Sequence, residues 1–92
     1  MTRITVRKLI WDNYNKEHIK KHDVTVQEVE IAIQNVIAHK KAKKGKYLVI
    51  GRAGSRILSV VIGRERTGAY YPVSARDAAK KERKIAYEKE KP

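Results

Sequence analysis

The chain has 92 residues and a formal net charge of +12, from 22 lysines and arginines against 10 aspartates and glutamates. Charge of this size is self-repulsive in a small compact protein, so it indicates a negatively charged partner, with nucleic acid as the first candidate. The absence of cysteine excludes disulfides, cysteine-ligated zinc and thiol catalysis. The length supplies one modest core, which predicts a single domain over residues 1–92.

Nothing in the sequence predicts a membrane protein. Residues 1–11 are charged and lack the apolar run of a signal peptide, and no stretch approaches the roughly 20 apolar residues that span a bilayer. We therefore expect a cytoplasmic protein. An anionic membrane surface is the second candidate partner, and an acidic binding protein would suit the same positive surface. A merely soluble basic surface is the simplest alternative.

The first quarter of the chain predicts a short strand and a helix. Residues 3–10 alternate as a strand does, with three aliphatic residues on one face: Ile4, Val6 and Ile10. Asp12 is a suitable N-cap, because its carboxylate can accept from free amides of the first turn. The helix that it starts is expected to continue to His22.

A second helix is predicted to begin at Val26. Thr25 and Glu28 have the spacing of a capping box, in which each side chain accepts from the backbone amide of the other residue. Apolar residues then recur with the 3.6-residue period as far as Ile37. The lysine-rich segment 39–46 that follows is expected to be an exposed loop.

Three strands and a third helix are predicted next, over residues 47–51, 56–63 and 69–74 and then from Ser74 to about Tyr87. Pro72 has no amide hydrogen, so its strand is expected to lie at an edge or to bulge there. The short turns favour antiparallel pairing. This order predicts an α+β fold, a small antiparallel sheet with helices packed on one face.

The predicted last helix concentrates positive charge. Arg76, Lys80, Arg83 and Tyr87 fall at spacings of four, three and four residues, which places three cations and a phenol on one stripe, and Lys81 and Lys84 widen it. Arginines can hold phosphate in bidentate fashion, and an aromatic ring can stack on a base. A solvated helix without a ligand is the alternative.

The predicted strands add further arginines, among them Arg52 and Arg56. Arg64 closes the central strand, where it could offset the charge of a pentacoordinate phosphate in a transition state. Tyr70 and Tyr71 are on opposite faces of the next strand, so only one of them can line the same surface. Ordinary sheet packing is the alternative for either tyrosine.

His18 and His22 share a face of the first predicted helix. The intervening sequence is Ile-Lys-Lys, which lacks the glutamate of a zinc-binding HExxH motif, and the two lysines disfavour a dication. We therefore predict no metal site and no cofactor. A packed pair near Trp11 and Tyr14 and a general base at His22 both remain open.

Four segments in a fixed order carry a family resemblance. The first segment contains Trp11-Asp12, Asn15 to Val24 and Glu28-Val29-Glu30. The second is Ile50-Gly51-Arg52 and the third is Arg56 to Val61. The fourth contains Pro72 to Ala78, Lys81-Glu82-Arg83 and Tyr87. Together they resemble the BrnT-type toxins of bacterial type II toxin–antitoxin pairs. Two features differ from the family pattern: Asp23 replaces a common glycine, and lysines fill residues 39–46, which are often more acidic.

The resemblance implies a RelE-like fold and a ribonuclease that blocks translation. Such enzymes are thought to promote attack of the ribose 2′-hydroxyl on the adjacent phosphate without a metal ion. The expected partners are RNA and a cognate acidic antitoxin, in whose complex the chain could form a homo-oligomer. Carried over by position, the expected phosphate-binding and transition-state residues are Arg64, Arg76 and Arg83, with Lys80 or His22 in proton transfer.

Other basic and aromatic residues are expected to bind RNA around this site: Arg52, Arg56, Lys81, Lys84, Tyr70 and Tyr87. Two readings without catalysis remain. The same surface would serve a module that binds RNA or DNA, or a module that only docks an acidic antitoxin.

Overall fold

The computed structural model describes residues 5–91. Its elements are β1 (Lys8–Leu9), α1 (Asn13–Lys20), α2 (Val26–Gln34), β2 (Val36–Lys41), β3 (Lys46–Ala53), β4 (Arg56–Arg66), β5 (Ala69–Asp77) and α3 (Lys80–Glu90). The strands form one sheet in the order β1-β5-β4-β3-β2, in which β2 to β5 pair antiparallel and β1 lies parallel to β5. The predicted α+β class with an antiparallel sheet is confirmed. Ile4 of the first predicted strand lies outside the described residues.

The central strand β4 is buried on both sides of the sheet. Leu58, Val60 and Ile62 alternate onto the side that α1 and α2 cover. Ile57 and Ser59 point to the other side, where they meet α3. The expectation that the helices share one face therefore holds for α1 and α2 but not for α3, because each side of β4 presents apolar residues that need a cover.

Side-chain caps fix the starts of α1 and α2 as predicted. The carboxylate of Asp12 accepts from the Asn15 amide at 2.9 Å, and the Asn15 side chain accepts from the Asp12 amide at the same distance. Asn15 is fully buried and also donates to the Ile10 carbonyl at 2.9 Å, which ties α1 to the end of β1. Thr25 and Glu28 form the corresponding capping box of α2.

The turn between α1 and α2 explains one departure from the family pattern. Asp23 has a φ of 59°, the left-handed conformation that favours glycine and that aspartate tolerates better than most residues. The turn geometry that a glycine would suit is therefore kept with aspartate. The carbonyl oxygen of Asp23 accepts from Arg56 at 2.9 Å, so the turn is also tied to β4.

The second predicted helix was too long. α2 ends at Gln34, Asn35 leaves the helical region with φ −124° and ψ 56°, and Val36–Lys41 forms the edge strand β2 against β3. Valine and isoleucine fit both a helical stripe and a strand, and pairing with β3 favours the strand. Much of the segment expected to be a loop is thus strand, and the remaining turn spans residues 42–45.

The third predicted helix began too early. Ser74 and Arg76 belong to β5, and α3 starts only at Lys80. The pairing of β4 with β5 shifts between Val61 and Ile62, opposite Ser74 and Pro72. The bulge predicted at Pro72 is therefore present, and it lets β5 continue three residues beyond Ser74. None of the described helices is long and apolar enough to cross a membrane.

We predict that Gly51 is required for the contact between β3 and α2. A Cβ atom at Gly51 would fall on the carbonyl oxygen of Ala32, whereas a Cβ at Gly63 would lie 3.9 Å from the nearest side-chain atom, Cγ of Lys46. Gly51→Ala should lower the free energy of unfolding by about 3 kcal/mol, because backbone must move to relieve the overlap. Urea unfolding measures this, with Gly63→Ala as the control. Equal stability of the two variants would contradict this packing.

Candidate nucleic-acid interface

Helix α3 covers only part of its side of the sheet. It packs over Ile50 and Ile57, with Ala86 fully buried between them. Further along the same strands, Leu48, Val61 and Ser74 are aligned by strand pairing on this side and are only half-buried. We call this uncovered area the open sheet face, and define it by Lys40, Lys46, Leu48, Val61, Tyr71, Ser74 and Arg76.

Positive charge surrounds the open sheet face. Lys40 of β2 and Lys46 of β3 lie at one side of it, and Arg76 of β5 lies at the other. On α3, Lys81 is exposed one turn before Ile85, which lines the cleft between the helix and β2. Among the described residues of this area, the Glu82 carboxylate is neutralised by Arg76, whereas the Asp12 carboxylate at its edge accepts from the Tyr71 hydroxyl. The face therefore suits a polyanion.

Arg76 is held in place by Glu82. Its Nη1 and Nη2 donate to the two carboxylate oxygens at 2.9 and 3.1 Å, and Nη1 also donates to the Asp77 carbonyl at 3.0 Å. The Glu82 side chain is 16% exposed and that of Arg76 is 46% exposed. The guanidinium is thus fixed on one edge, while its Nε–H and one Nη2–H have no described protein partner and remain available for a ligand.

Glu82 accepts two further hydrogen bonds, from the Ser59 hydroxyl at 2.7 Å and from the Ala79 amide at 2.7 Å. Burial alone would raise the pKa of Glu82, but the hydrogen bonds from Arg76, Ala79 and Ser59 outweigh it and lower the pKa to about 2. The carboxylate is therefore ionised throughout the physiological range. It joins the start of α3, the centre of β4 and the guanidinium in one network.

Tyr71 connects the open sheet face to the start of α1. Its hydroxyl donates to Asp12, with Oη 3.0 Å from both carboxylate oxygens. Burial, together with the hydrogen bond and negative charge of Asp12, raises the pKa of Tyr71, so the phenol keeps its proton. The pKa of Asp12 is lowered, chiefly by the Asn15 amide.

Two of the arginines that were expected to bind RNA are engaged by the fold. Arg56 donates to Glu28, to Asp77 and to the Asp23 carbonyl, at distances of 2.8 to 3.1 Å. Arg52 forms a bidentate pair with Glu90 at 2.7 and 2.8 Å. These guanidiniums fasten α2, β5 and α3 to the β3–β4 hairpin, which accounts for their presence without a ligand.

Three further predicted residues lie away from Arg76. Strand alternation places Arg64 on the side of the sheet that faces α1 and α2. Along β4 it is five residues, or about 16 Å, from Ser59, the residue that pairs with Arg76. His22 follows the end of α1 on that same side. Tyr70 is 5% exposed and packs edge-on against Tyr47, so the prediction that it lines an RNA surface was wrong; the half-buried tyrosine is Tyr71.

The predicted stripe on the last helix is split between two surfaces. Arg76 is on β5, so it does not continue the helical spacing. Lys80, Arg83, Lys84 and Tyr87 lie on the solvent side of α3, where they line a shallow groove with Glu88 and Lys91. None of these four side chains forms a hydrogen bond or ion pair with a described residue. The groove is a basic surface adjacent to the open sheet face and distinct from it.

Several residues of the open sheet face were missed from the sequence. Ser74 was assigned to a helix cap, and Lys40 and Lys46 to a structureless loop. Ser59, which supports this face through Glu82, was predicted only as part of the strand over residues 56–63. Glu82, which the sequence analysis gave no role of its own, pairs with Arg76.

The described part of the chain contains no cluster of three or more histidine, aspartate or glutamate side chains arranged to hold a metal ion.

No protein-family model matches the sequence, and no curated protein does so either. The crystal structure of the Brucella abortus ribonuclease toxin BrnT is similar, with a TM-score of 0.63 at 22% sequence identity over 78% of this chain and 96% of that chain. The resemblance to BrnT is thus confirmed at the level of the fold.

We predict that Glu82 contributes stability that is lost in acid. Its folded pKa of about 2 lies below the ordinary 4.5, so the contribution is complete above about pH 4.5 and disappears as the pH falls towards 2. A shift of this size corresponds to about 3 kcal/mol. The difference in unfolding free energy between the wild type and Glu82→Gln, measured by urea titration, should shrink over this range. Glu88→Gln, on the same helix but exposed, is the control, and a constant Glu82→Gln difference would refute the prediction.

Proposed function

We propose that this chain is a cytoplasmic toxin of the BrnT type, an endoribonuclease that acts on RNA at the open sheet face and is held in check by an acidic antitoxin. The observation that carries the proposal is the position of Arg76: a half-exposed guanidinium, fixed by a half-buried carboxylate, at the rim of an uncovered basic surface. The fold shared with a ribonuclease toxin supports the reaction class.

In the proposed reaction, the ribose 2′-hydroxyl attacks the adjacent phosphorus and the 5′-oxygen of the next nucleotide leaves. The products are a 2′,3′-cyclic phosphate and a 5′-hydroxyl end. Arg76 would donate from its free Nε–H and Nη2–H to the phosphate oxygens that gain charge in the transition state. Because Glu82 and the Asp77 carbonyl already fix the guanidinium, no reorganisation is needed when that charge develops.

Other cations would position the strand. Lys40 and Lys46 are suitably placed to contact phosphates beside the scissile one, since they lie across the open sheet face from Arg76. Lys80, Arg83, Lys84 and Tyr87 would hold a more distant part of the RNA on the outer groove of α3. Arg64 and His22 lie on the opposite side of the sheet, so the proposal gives them no role at the scissile phosphate.

A second candidate is an RNA-binding module without catalysis. It is favoured by the composition of the open sheet face, whose described residues provide lysines, an arginine and hydroxyls but no free carboxylate. His18 is on α1 and His22 follows its end, and strand alternation places His39 beside Val49 on the α2-facing side. Proton transfer from the 2′-hydroxyl would therefore need a lysine or water, because the raised pKa of Tyr71 keeps its phenol protonated.

The proposal predicts cleavage of single-stranded RNA in the presence of EDTA, with a 2′,3′-cyclic phosphate on the 5′ fragment. Arg76→Ala should reduce the rate by about 10²- to 10³-fold, because one preorganised donor group to the transition state is lost. Arg76→Lys should also be impaired, since an ammonium keeps the charge but not the planar fork. Gel analysis of end-labelled fragments measures both effects.

Arg52→Ala is the matched control. Arg52 lies on the same side of the sheet and also pairs with a glutamate of α3, so its loss tests whether any broken ion pair reduces activity. We expect the control to retain most of the wild-type rate, with circular dichroism confirming that each variant is folded. RNA that remains intact with the wild type but is bound in a salt-dependent manner would refute the enzyme and support the binding module.

A further inference from the structure

Helix α1 carries a ladder of aromatic rings that the proposed reaction does not use. The rings of Tyr14 and His18 are nearly parallel, at 9°, with centroids 6.4 Å apart. The ring of His22 meets His18 edge-on, at 65° and 5.8 Å. The helix aligns Tyr14 and His18, four residues apart, along one side, and His22 extends the row from the turn after α1. We call them the α1 ring ladder.

The ladder is on the outside of the helix. Asn15 and Ile19 occupy the buried side, where both are at most 1% exposed, whereas Tyr14 is 75% exposed. His22 is exposed and His18 is half-buried. An aromatic ring left in water contributes little to folding, because hydrophobic stabilisation requires burial. The core therefore does not account for these rings, although His18 contacts both Tyr14 and His22.

The ladder begins next to the open sheet face. Asp12, the N-cap of α1, accepts from the Tyr71 hydroxyl of that face at 3.0 Å, and Tyr14 lies two residues further along the chain. A strand that crosses the open sheet face past Tyr71 would therefore reach Tyr14 first and His18 next.

Charge along α1 suits a polyanion. Lys16, Lys20 and Lys21 are all exposed, and Lys21 lines a shallow groove with Tyr14 and His18. Glu17 lines the same groove and opposes an anion there, so the attraction comes from the lysines on both flanks rather than from the groove floor. Successive aromatic faces flanked by cations are the arrangement that binds single-stranded nucleic acid through its bases, because every base offers a face for stacking.

We propose that the α1 ring ladder is a base-stacking subsite for single-stranded RNA, which holds nucleotides beyond the scissile phosphate on Tyr14 and His18. Its link to cleavage rests on the proposed function, but its affinity for unpaired bases does not. The subsite acts through ring faces, so it is indifferent to base sequence and requires unpaired nucleotides.

Binding of a labelled single-stranded oligodeoxyuridine, about 12 nucleotides long, tests the subsite, because DNA has no 2′-hydroxyl and is not cut. Tyr14→Ala with His18→Ala should weaken binding by about tenfold or more, as expected when a stacked base is lost. Tyr14→Phe keeps the ring and should bind like the wild type. Removal of a neighbouring exposed apolar residue, Ile31→Ala on α2, is the control and should leave affinity unchanged.

Two further measurements separate stacking from charge. The double variant should keep the wild-type slope of binding against salt, since it loses no phosphate contact, whereas Lys20→Ala should reduce that slope by about one. An abasic oligonucleotide of equal length should bind the wild type and the double variant equally. Unchanged affinity of the double variant for the oligodeoxyuridine, or an equal loss for the abasic strand, would overturn the proposal.

These outcomes are independent of catalysis. If wild-type protein leaves RNA intact while the double variant loses oligodeoxyuridine affinity, the ribonuclease proposal fails and the subsite stands. If RNA is cleaved through Arg76 while the double variant binds normally, the ribonuclease stands and the subsite fails.

Discussion

The hydrogen-bonded carboxylate of Glu82 is the interaction on which both the third helix and the proposed site depend. It is 16% exposed, so it would be costly to bury without partners, and it accepts from Arg76, Ser59 and the Ala79 amide. The same bonds attach the start of α3 to the centre of the sheet. A change at this carboxylate therefore affects packing and the orientation of Arg76 together.

Four of the ten acidic residues pair with arginines that connect elements of the fold. Arg52, Arg56 and Arg76 each pair with a glutamate on a helix, and Arg56 also binds Asp77. These pairs neutralise four carboxylates, and because they use arginines, the lysines are left to dominate the outer surfaces. Net charge alone indicated a polyanion, whereas the pairing pattern separates the arginines that hold the structure together from those that can face a ligand.

Sequence reasoning succeeded where a local rule determines the structure. The capping residues Asp12 and Thr25 and the bulge at Pro72 follow from backbone hydrogen bonding, which a few neighbouring residues decide. It failed at Val36 and Ser74, where the choice between helix and strand depends on a partner strand far along the chain. That error placed Arg76 on a helical stripe, although the sheet sets it beside Ser59.

The candidate site was harder to predict than the fold, because it is formed by strands whose order the sequence does not state. Arg64 and Arg76 were both expected at the same phosphate, yet strand pairing puts them on opposite sides of the sheet. The family resemblance supplied the reaction class, and the structure separates the residues that can act on one phosphate from those that cannot.

Nitrogen-15 NMR of the arginine side chains during titration with an uncleavable single-stranded oligonucleotide tests the central claim most directly. We expect the Nε–H signal of Arg76 to shift as the oligonucleotide is added. The Nε–H signal of Arg64, on the opposite side of the sheet, should not shift. A shift at Arg64 with an unchanged Arg76 would contradict the open sheet face as the site of RNA binding.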